Sequence, residues 1–174
     1  MNKIIDGVKI SNEIKSEISN KISIAIDKGY RSPSLKIILV GGHGPSRIYV
    51  NAKLKACEAV GIDAELISLS DNIKQEDLSD LINKLNIDND VDGFIVQLPL
   101  PENISVQKVI EHIHPSKDVD GFTNDNIGSI TSTKKKLMPA TGVGVMTLIE
   151  RYAIDICLLY TSDAADDMQC VDLG

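Results

Sequence analysis

Isoleucines recur at positions 10, 14, 18, 22 and 26, with polar residues between them. A spacing of four predicts an amphipathic helix over 8–28 with one buried stripe, stopped by Gly29. The pattern then changes. Residues 35–40 (LKIILV) form an unbroken apolar run followed by Gly41 and Gly42, which predicts a buried strand ending in a turn. A second helix follows, carrying Tyr49 and Lys53, and ends near Gly61. Residues 64–69 alternate weakly and are read as a second strand. Leu78, Leu81, Ile82 and Leu85 share one face of a helix over 74–85. Residues 93–98 (GFIVQL) form a third buried strand, and residues 106–113 a short helix closed by Pro115. Alternation of strand and helix predicts an α/β domain: a three-layer parallel sheet with helices on both faces. Ligands of such sheets bind at the carboxyl ends of the strands. Two strand ends stand out there, the GGHGPS loop before the Tyr49 helix and Gln97 with the LPLPEN turn. Lys53 and Gln97 are therefore expected to meet.

Composition narrows the function classes. The 174 residues are enough for one domain, or one domain and part of another, and 43% hydrophobic with 25% charged residues fits a globular protein. Aromatics are 3% and Trp is absent, so the core is Ile, Leu, Val and Ala. A net charge of −7 argues against a nucleic-acid partner. The N-terminus has no signal-peptide stretch and no apolar run approaches the length of a membrane span, so no membrane partner and a cytoplasmic location are expected. Cys57, Cys157 and Cys170 are scattered, which suits a reducing compartment and suggests no disulfide framework or zinc site. His43, His112 and His114 have no metal-ligand partners at a useful spacing and are read as loop or surface residues, so no metal is expected.

Tyr49 and Lys53 stand four apart, which on a helix stacks a phenol and an amine on one face; Ser46, three before Tyr49, is expected to share it. Such a set can position a substrate and move a proton, although the same spacing also suits a plain surface helix. Three other segments imitate known sites. Asp88, Asp90, Asp92 and Gly93 follow an EF-hand loop, but Pro99 stands where the closing Glu belongs, so the acids are read as a turn before a strand. Gly142 and Gly144 make a partial dinucleotide motif with no preceding strand and are read as opening a helix to Tyr152. The GGHG loop is read as a tight strand-to-helix turn rather than a phosphate cradle. The pentapeptide DVDGF occurs twice, at 90–94 and 118–122. An apolar strand follows the first copy and a polar loop, TNDNIGSI, the second. Asp120 is therefore the expected binding residue and Asp92 a structural one.

SRIYVNAKLKACEAVGI, VDGFIVQLPLP and HPSKDVDGFTNDNIG, in that order, resemble the FolD family of bifunctional methylenetetrahydrofolate dehydrogenase/cyclohydrolases. The resemblance runs from about residue 4 to residue 155. MPATGVGVMTLIERYAID is similar to a fourth family segment, with Ala140 in place of the usual Cys and Gly142 in place of a Pro. The resemblance implies an enzyme that oxidises 5,10-methylenetetrahydrofolate with NADP and hydrolyses the methenyl product to 10-formyltetrahydrofolate. It implies Lys53 for proton transfer, Tyr49 stacked on the aminobenzoate ring, Gln97 hydrogen-bonded to Lys53, Asp120 on the pterin and Ser46 as a further contact. Gln97 suits a neighbour of the amine because it orients Lys53 without adding negative charge. Family members would be dimers through their NADP domain, and their final helix packs back on the folate domain.

The resemblance stops after Asp155. Residues 157–174 contain four aspartates and no Lys, Arg or Asn, unlike what precedes them. The expected organisation is a folate-binding catalytic domain at 1–122, a connection and first helix toward an NADP domain at 123–156, and a non-native tail at 157–174. The chain itself is expected to bind tetrahydrofolate but no NADP. A non-catalytic folate-binding module is the alternative. A short-chain dehydrogenase fragment would also carry Y-x-x-x-K, but it needs a glycine-rich cofactor loop after its first strand.

Overall fold

The computed structural model describes residues 4–42, 44–131 and 136–154. Helix α1 (Gly7–Asp27) starts where the Asp6 carboxylate accepts from the Lys9 N–H at 2.9 Å. It ends at Gly29, whose φ of 89° suits glycine. Strand β1 (Ser34–Val40) leads through Gly41 into α2 (Gly44–Val60). Strand β2 (Asp63–Leu69), α3 (Gln75–Ile87), β3 (Gly93–Val96) and α4 (Val106–His112) follow. The alternation expected from the sequence is present, with helix and strand ends shifted by one or two residues.

The strands are parallel in the order β2-β1-β3, with Leu35 of β1 level with Ala64 and with Gly93. The chain steps one way from β1 to β2 and the other way from β2 to β3. Right-handed crossovers then place α2 and α3 on opposite faces. The packing agrees. Ile38 and Val40 face Leu78 and Ile82 of α3 and Val109 of α4. Ile37 and Leu39 face Val50 and Leu54 of α2. Strand period fixes this division, because alternate side chains point to opposite faces. β1 is central, and its Ile37–Val40 stretch is at most 1% exposed.

The α1 stripe differs from expectation. Ile10 and Ile22 are buried and Ile14 and Ile18 half-buried, but Ile26 is 45% exposed. The reason is helical geometry: each step of four residues overshoots a full turn by about 40°. Over four steps the stripe winds through about 160° and leaves the face that packs on α2.

The stretch after α4 also departs from the polar loop expected at 123–130. Phe94 donates its N–H to the Lys117 carbonyl at 2.9 Å, and a parallel bridge pairs Phe94 with Asp118. The second DVDGF copy thus runs alongside β3. Helix α5 (Asn124–Gly128) and a short 3-10 turn at Ser129–Thr131 follow, and α6 (Ala140–Arg151) closes the described chain. α6 lies against α1, where Arg151 pairs with Glu17 and the Asp6 N–H donates to the Tyr152 hydroxyl at 2.7 Å. Among the described residues no helix is long and apolar enough to cross a membrane. The proposed tail at 157–174, with Cys157 and Cys170, and His43 of the GGHG loop lie outside the described residues.

Candidate active site

The strand order reverses between β1 and β3, and the carboxyl ends of the strands at such a point are where ligands of these sheets bind. Gln97 lies immediately past β3, held there because its N–H donates to the Ile38 carbonyl at 2.9 Å. Its side-chain amide is oriented by a second bond: Nε2 donates to the Leu98 carbonyl at 2.8 Å. That leaves Oε1 facing outward, and it accepts from Lys53 Nζ at 3.1 Å. Two residues 44 apart in sequence are joined as the topology predicts. An ammonium carries three protons, so Lys53 keeps donors free for a ligand.

Asp120 sits on the third side. It is half-buried in the turn that follows the Phe94–Asp118 bridge, and it feels the charge of Lys53. Burial pushes its carboxyl above the usual carboxylate range, opposed by the Lys53 charge and reinforced by that of Asp118. A carboxyl that is partly desolvated beside an amine is ready to accept hydrogen bonds from a ligand.

The other two sequence candidates are arranged less simply. Tyr49 is 66% exposed, one turn before Lys53, with a free ring face. Ser46 is 5% exposed and does not share the Tyr49 surface. On a helix, three residues leave the two side chains about 60° apart, whereas Ser46 and Lys53, seven apart, differ by only about 20°. Ser46 therefore points inward along the Lys53 line while Tyr49 points to solvent. Cys57, one turn after Lys53, is buried, and burial pushes its thiol up.

Sequence reasoning missed what holds Asp120 in place. Asp118 is 2% exposed, and its carboxylate accepts from Gly121 N–H at 2.9 Å, Thr123 N–H at 2.8 Å and Asn126 Nδ2 at 2.9 Å. Burial alone would raise its pKa, but these bonds prevail and hold the carboxyl below the usual range. The available signal was Thr123 three residues before Asn126, a helix-capping pattern inside what reads as a polar loop.

The imitation sites resolve as turns and caps. Asp92 accepts from Arg31 at 2.6 Å and from Ser34 N–H at 2.7 Å, tying the amino ends of β1 and β3 together, so it is structural. Asp90 N–H donates to Asp88 Oδ1 at 2.8 Å in a local turn. Gly41, with φ of 78°, donates to the Leu69 carbonyl as a strand-to-helix turn does. Gly142 and Gly144 lie within the first turns of α6, and a Cβ added at either would meet nothing within 4 Å. Both lie inside the helix rather than in a glycine-rich loop that leads into it, so they open α6 and do not form a pyrophosphate-binding turn. His112 and His114 are exposed. Among the described residues no group of His, Cys, Asp or Glu is arranged to hold a metal.

Residues 5–120 match the family described as tetrahydrofolate dehydrogenase/cyclohydrolase, catalytic domain. The structure is similar to the bifunctional FolD methylenetetrahydrofolate dehydrogenase/cyclohydrolase of Campylobacter jejuni, at 42% identity and a TM-score of 0.85, over 88% of this chain and 54% of that one. It is also similar to a 5,10-methylenetetrahydrofolate dehydrogenase of the silkworm Bombyx mori, at 40% identity and a TM-score of 0.87, over 89% and 53% of the two chains. The FolD enzyme of Trypanosoma brucei, in complex with NADP and an inhibitor, matches at 29% identity and a TM-score of 0.83, over 88% and 53%. The chain thus spans about half the length of these relatives.

Proposed function

The chain belongs to the tetrahydrofolate dehydrogenase/cyclohydrolase family, and from that premise we propose that it is the part of such an enzyme that binds the reduced folate and moves its protons. Residues 1–122 would form the folate-binding part and 123–156 the connection beyond it. The observation that carries the reading is the Lys53–Gln97 bond, with Asp120 within the electrostatic reach of the same amine. Tyr49 offers a ring face for the aminobenzoate group. Asp120 offers two acceptor oxygens to the amino and ring N–H groups of the pterin. Ser46 could contribute only from the edge of its buried side chain.

The hydrolytic half of the chemistry needs little else. Water adds to the cationic methenyl carbon and loses a proton. The bond from that carbon to N5 then breaks as the remaining hydroxyl proton leaves, N5 gains a proton, and the formyl group stays on N10, so that one proton is released overall. Lys53 is placed to relay those protons, and Gln97 holds it without a compensating charge. The oxidative half delivers hydride to NADP in the full-length protein. The described residues offer no fitting dinucleotide site, so no step through that cofactor is assigned to them. A homodimer of the longer protein fits the same reading.

The test is hydrolysis of 5,10-methenyltetrahydrofolate by the chain and by its Lys53→Met variant. The expected loss is at least ~100-fold in rate, the usual weight of a positioned proton-transfer group. The fold should survive, because Lys53 is only half-buried. Equal rates would leave a folate-binding module without catalysis. With methylenetetrahydrofolate and NADP, the chain alone should produce no NADPH.

A further inference from the structure

Asn126 is 1% exposed and lies outside the residues assigned to the site. Both hydrogens of its carboxamide are in use. Nδ2 donates to the Pro115 carbonyl at 3.0 Å, just before the second DVDGF copy, and to Asp118 Oδ2 at 2.9 Å, inside it. Asp118 in turn takes the N–H groups of Gly121 and Thr123, one on each carboxylate oxygen. The turn that carries Asp120 is thus held on its leading side by one buried amide and closed on its far side by the Asp118 carboxylate to which that amide donates. Gly121 leaves no slack on the other side, since an added Cβ there would come within 2.6 Å of the Met138 carbonyl carbon.

We infer that Asn126 is a positioning residue for the reaction: through Asp118 it fixes the turn that presents the Asp120 carboxylate to the substrate. The inference rests on the reading of Asp120 as the pterin-binding group. A buried amide that only filled space would not need both hydrogens on the segment that leads into one functional turn. The groups that act on Asp120 are Lys53 from α2 and Asp118 from its own turn. Any loosening of the turn changes its distance to both and its burial.

The experiment compares the chain with Asn126→Ser, which cannot span both acceptors, and with Asn126→Gln, which keeps the amide but carries it one methylene further. Ser105→Ala is the control; it removes the hydroxyl cap of α4, which touches neither Asn126 nor Asp118. In protein labelled with carbon-13 aspartate, the Asp120 carboxyl should titrate at lower pH in both Asn126 variants, toward the ordinary carboxylate range. Asp92 should be unmoved, and Ser105→Ala should leave Asp120 unchanged. Affinity for tetrahydrofolate, counted per folded molecule, should fall about tenfold in Asn126→Ser, the weight of one charge-assisted hydrogen bond. It should fall no further when that change is added to Asp120→Asn, because coupled residues are not additive. An unmoved Asp120 titration, or additive losses, overturns the inference. So does failure of both Asn126 variants to fold, which makes the residue structural only. If the unaltered chain does not bind tetrahydrofolate, the functional reading fails, and the titration still decides the positioning role.

Discussion

Asp118 and Asp120 stand two residues apart on one turn, and their surroundings drive them in opposite directions. Asp118 is closed in and satisfied by three donors, so its carboxylate is held in the ionised form. Asp120 is partly desolvated with the Lys53 charge nearby, and its carboxyl is raised. The signs follow for stability. A depressed carboxyl stabilises the fold above its unfolded value and loses that contribution as pH falls through the folded value. Asp118→Asn should therefore cost about 2–3 kcal/mol at pH 7, the scale of hydrogen bonds to a buried charge. The gap between the two proteins should narrow below about pH 4, where the unaltered carboxylate takes up its proton. Urea denaturation at several pH values measures it, and a gap independent of pH would show that the charge is not what matters. Asp120 has the opposite sign. Its raised carboxyl binds a proton more tightly folded than unfolded, so it lowers stability as pH rises through that window. A binding group held at such a cost is what a site for a hydrogen-bond-donating ligand requires.

At the scale of elements, glycine geometry separates two kinds of turn. Gly29 and Gly121 both have positive φ, 89° and 73°. A Cβ at Gly29 would meet nothing within 4 Å, whereas at Gly121 it would lie 2.6 Å from the Met138 carbonyl carbon and 2.7 Å from Pro139 N. Gly29→Ala should cost about 1 kcal/mol, the backbone term alone. Gly121→Ala should cost about 2–4 kcal/mol, because the approach of two backbones adds to it. Chemical denaturation of the two variants checks the difference, and equal costs would mean that the 136–139 segment yields freely. The same contrast explains what could be read from the sequence. The strands were legible because β1 and β3 are short apolar runs and β2 alternates, and their order put Gln97 where Lys53 could reach it. The winding of the α1 stripe was legible in principle, since it is arithmetic on the helix repeat. The 118–131 region was not. Its order comes from Phe94, Pro115 and the buried Asn126, partners that local patterns do not bring together. Ser46 was misplaced for a smaller reason, three residues being short of a full turn.

Across the whole molecule, stability is uneven. β1 is enclosed on both faces and both edges, while α6 has no buried residue. An apolar cleft of about 660 Å³ separates α6 from α1, with Ile10 and Ile14 on one side and Val143 and Leu148 on the other. Among the described residues two polar ties cross it, the Tyr152 hydroxyl to Asp6 and Arg151 to Glu17. The second is an exposed ion pair, which adds little to stability in water. α6 thus presents apolar side chains such as Val145 and Met146 without cover among the described residues. The free-energy cost of opening α6 should accordingly lie far below that of unfolding the sheet. Local openings of this kind dominate hydrogen exchange. Backbone amides of α6 should exchange at least ~100-fold faster than those of Ile37 and Leu39 under the same conditions. Removing the Tyr152 hydroxyl with Tyr152→Phe should quicken α6 further and leave β1 unchanged. Equal protection of α6 and β1 would show that the two unfold as one unit, and that the cleft is bridged by more than these two bonds. The site lies with the slow-exchanging body, because Gln97 is anchored to β1 through Ile38 and Lys53 to α2. Loss of α6 protection should therefore leave the Lys53–Gln97 pair in place.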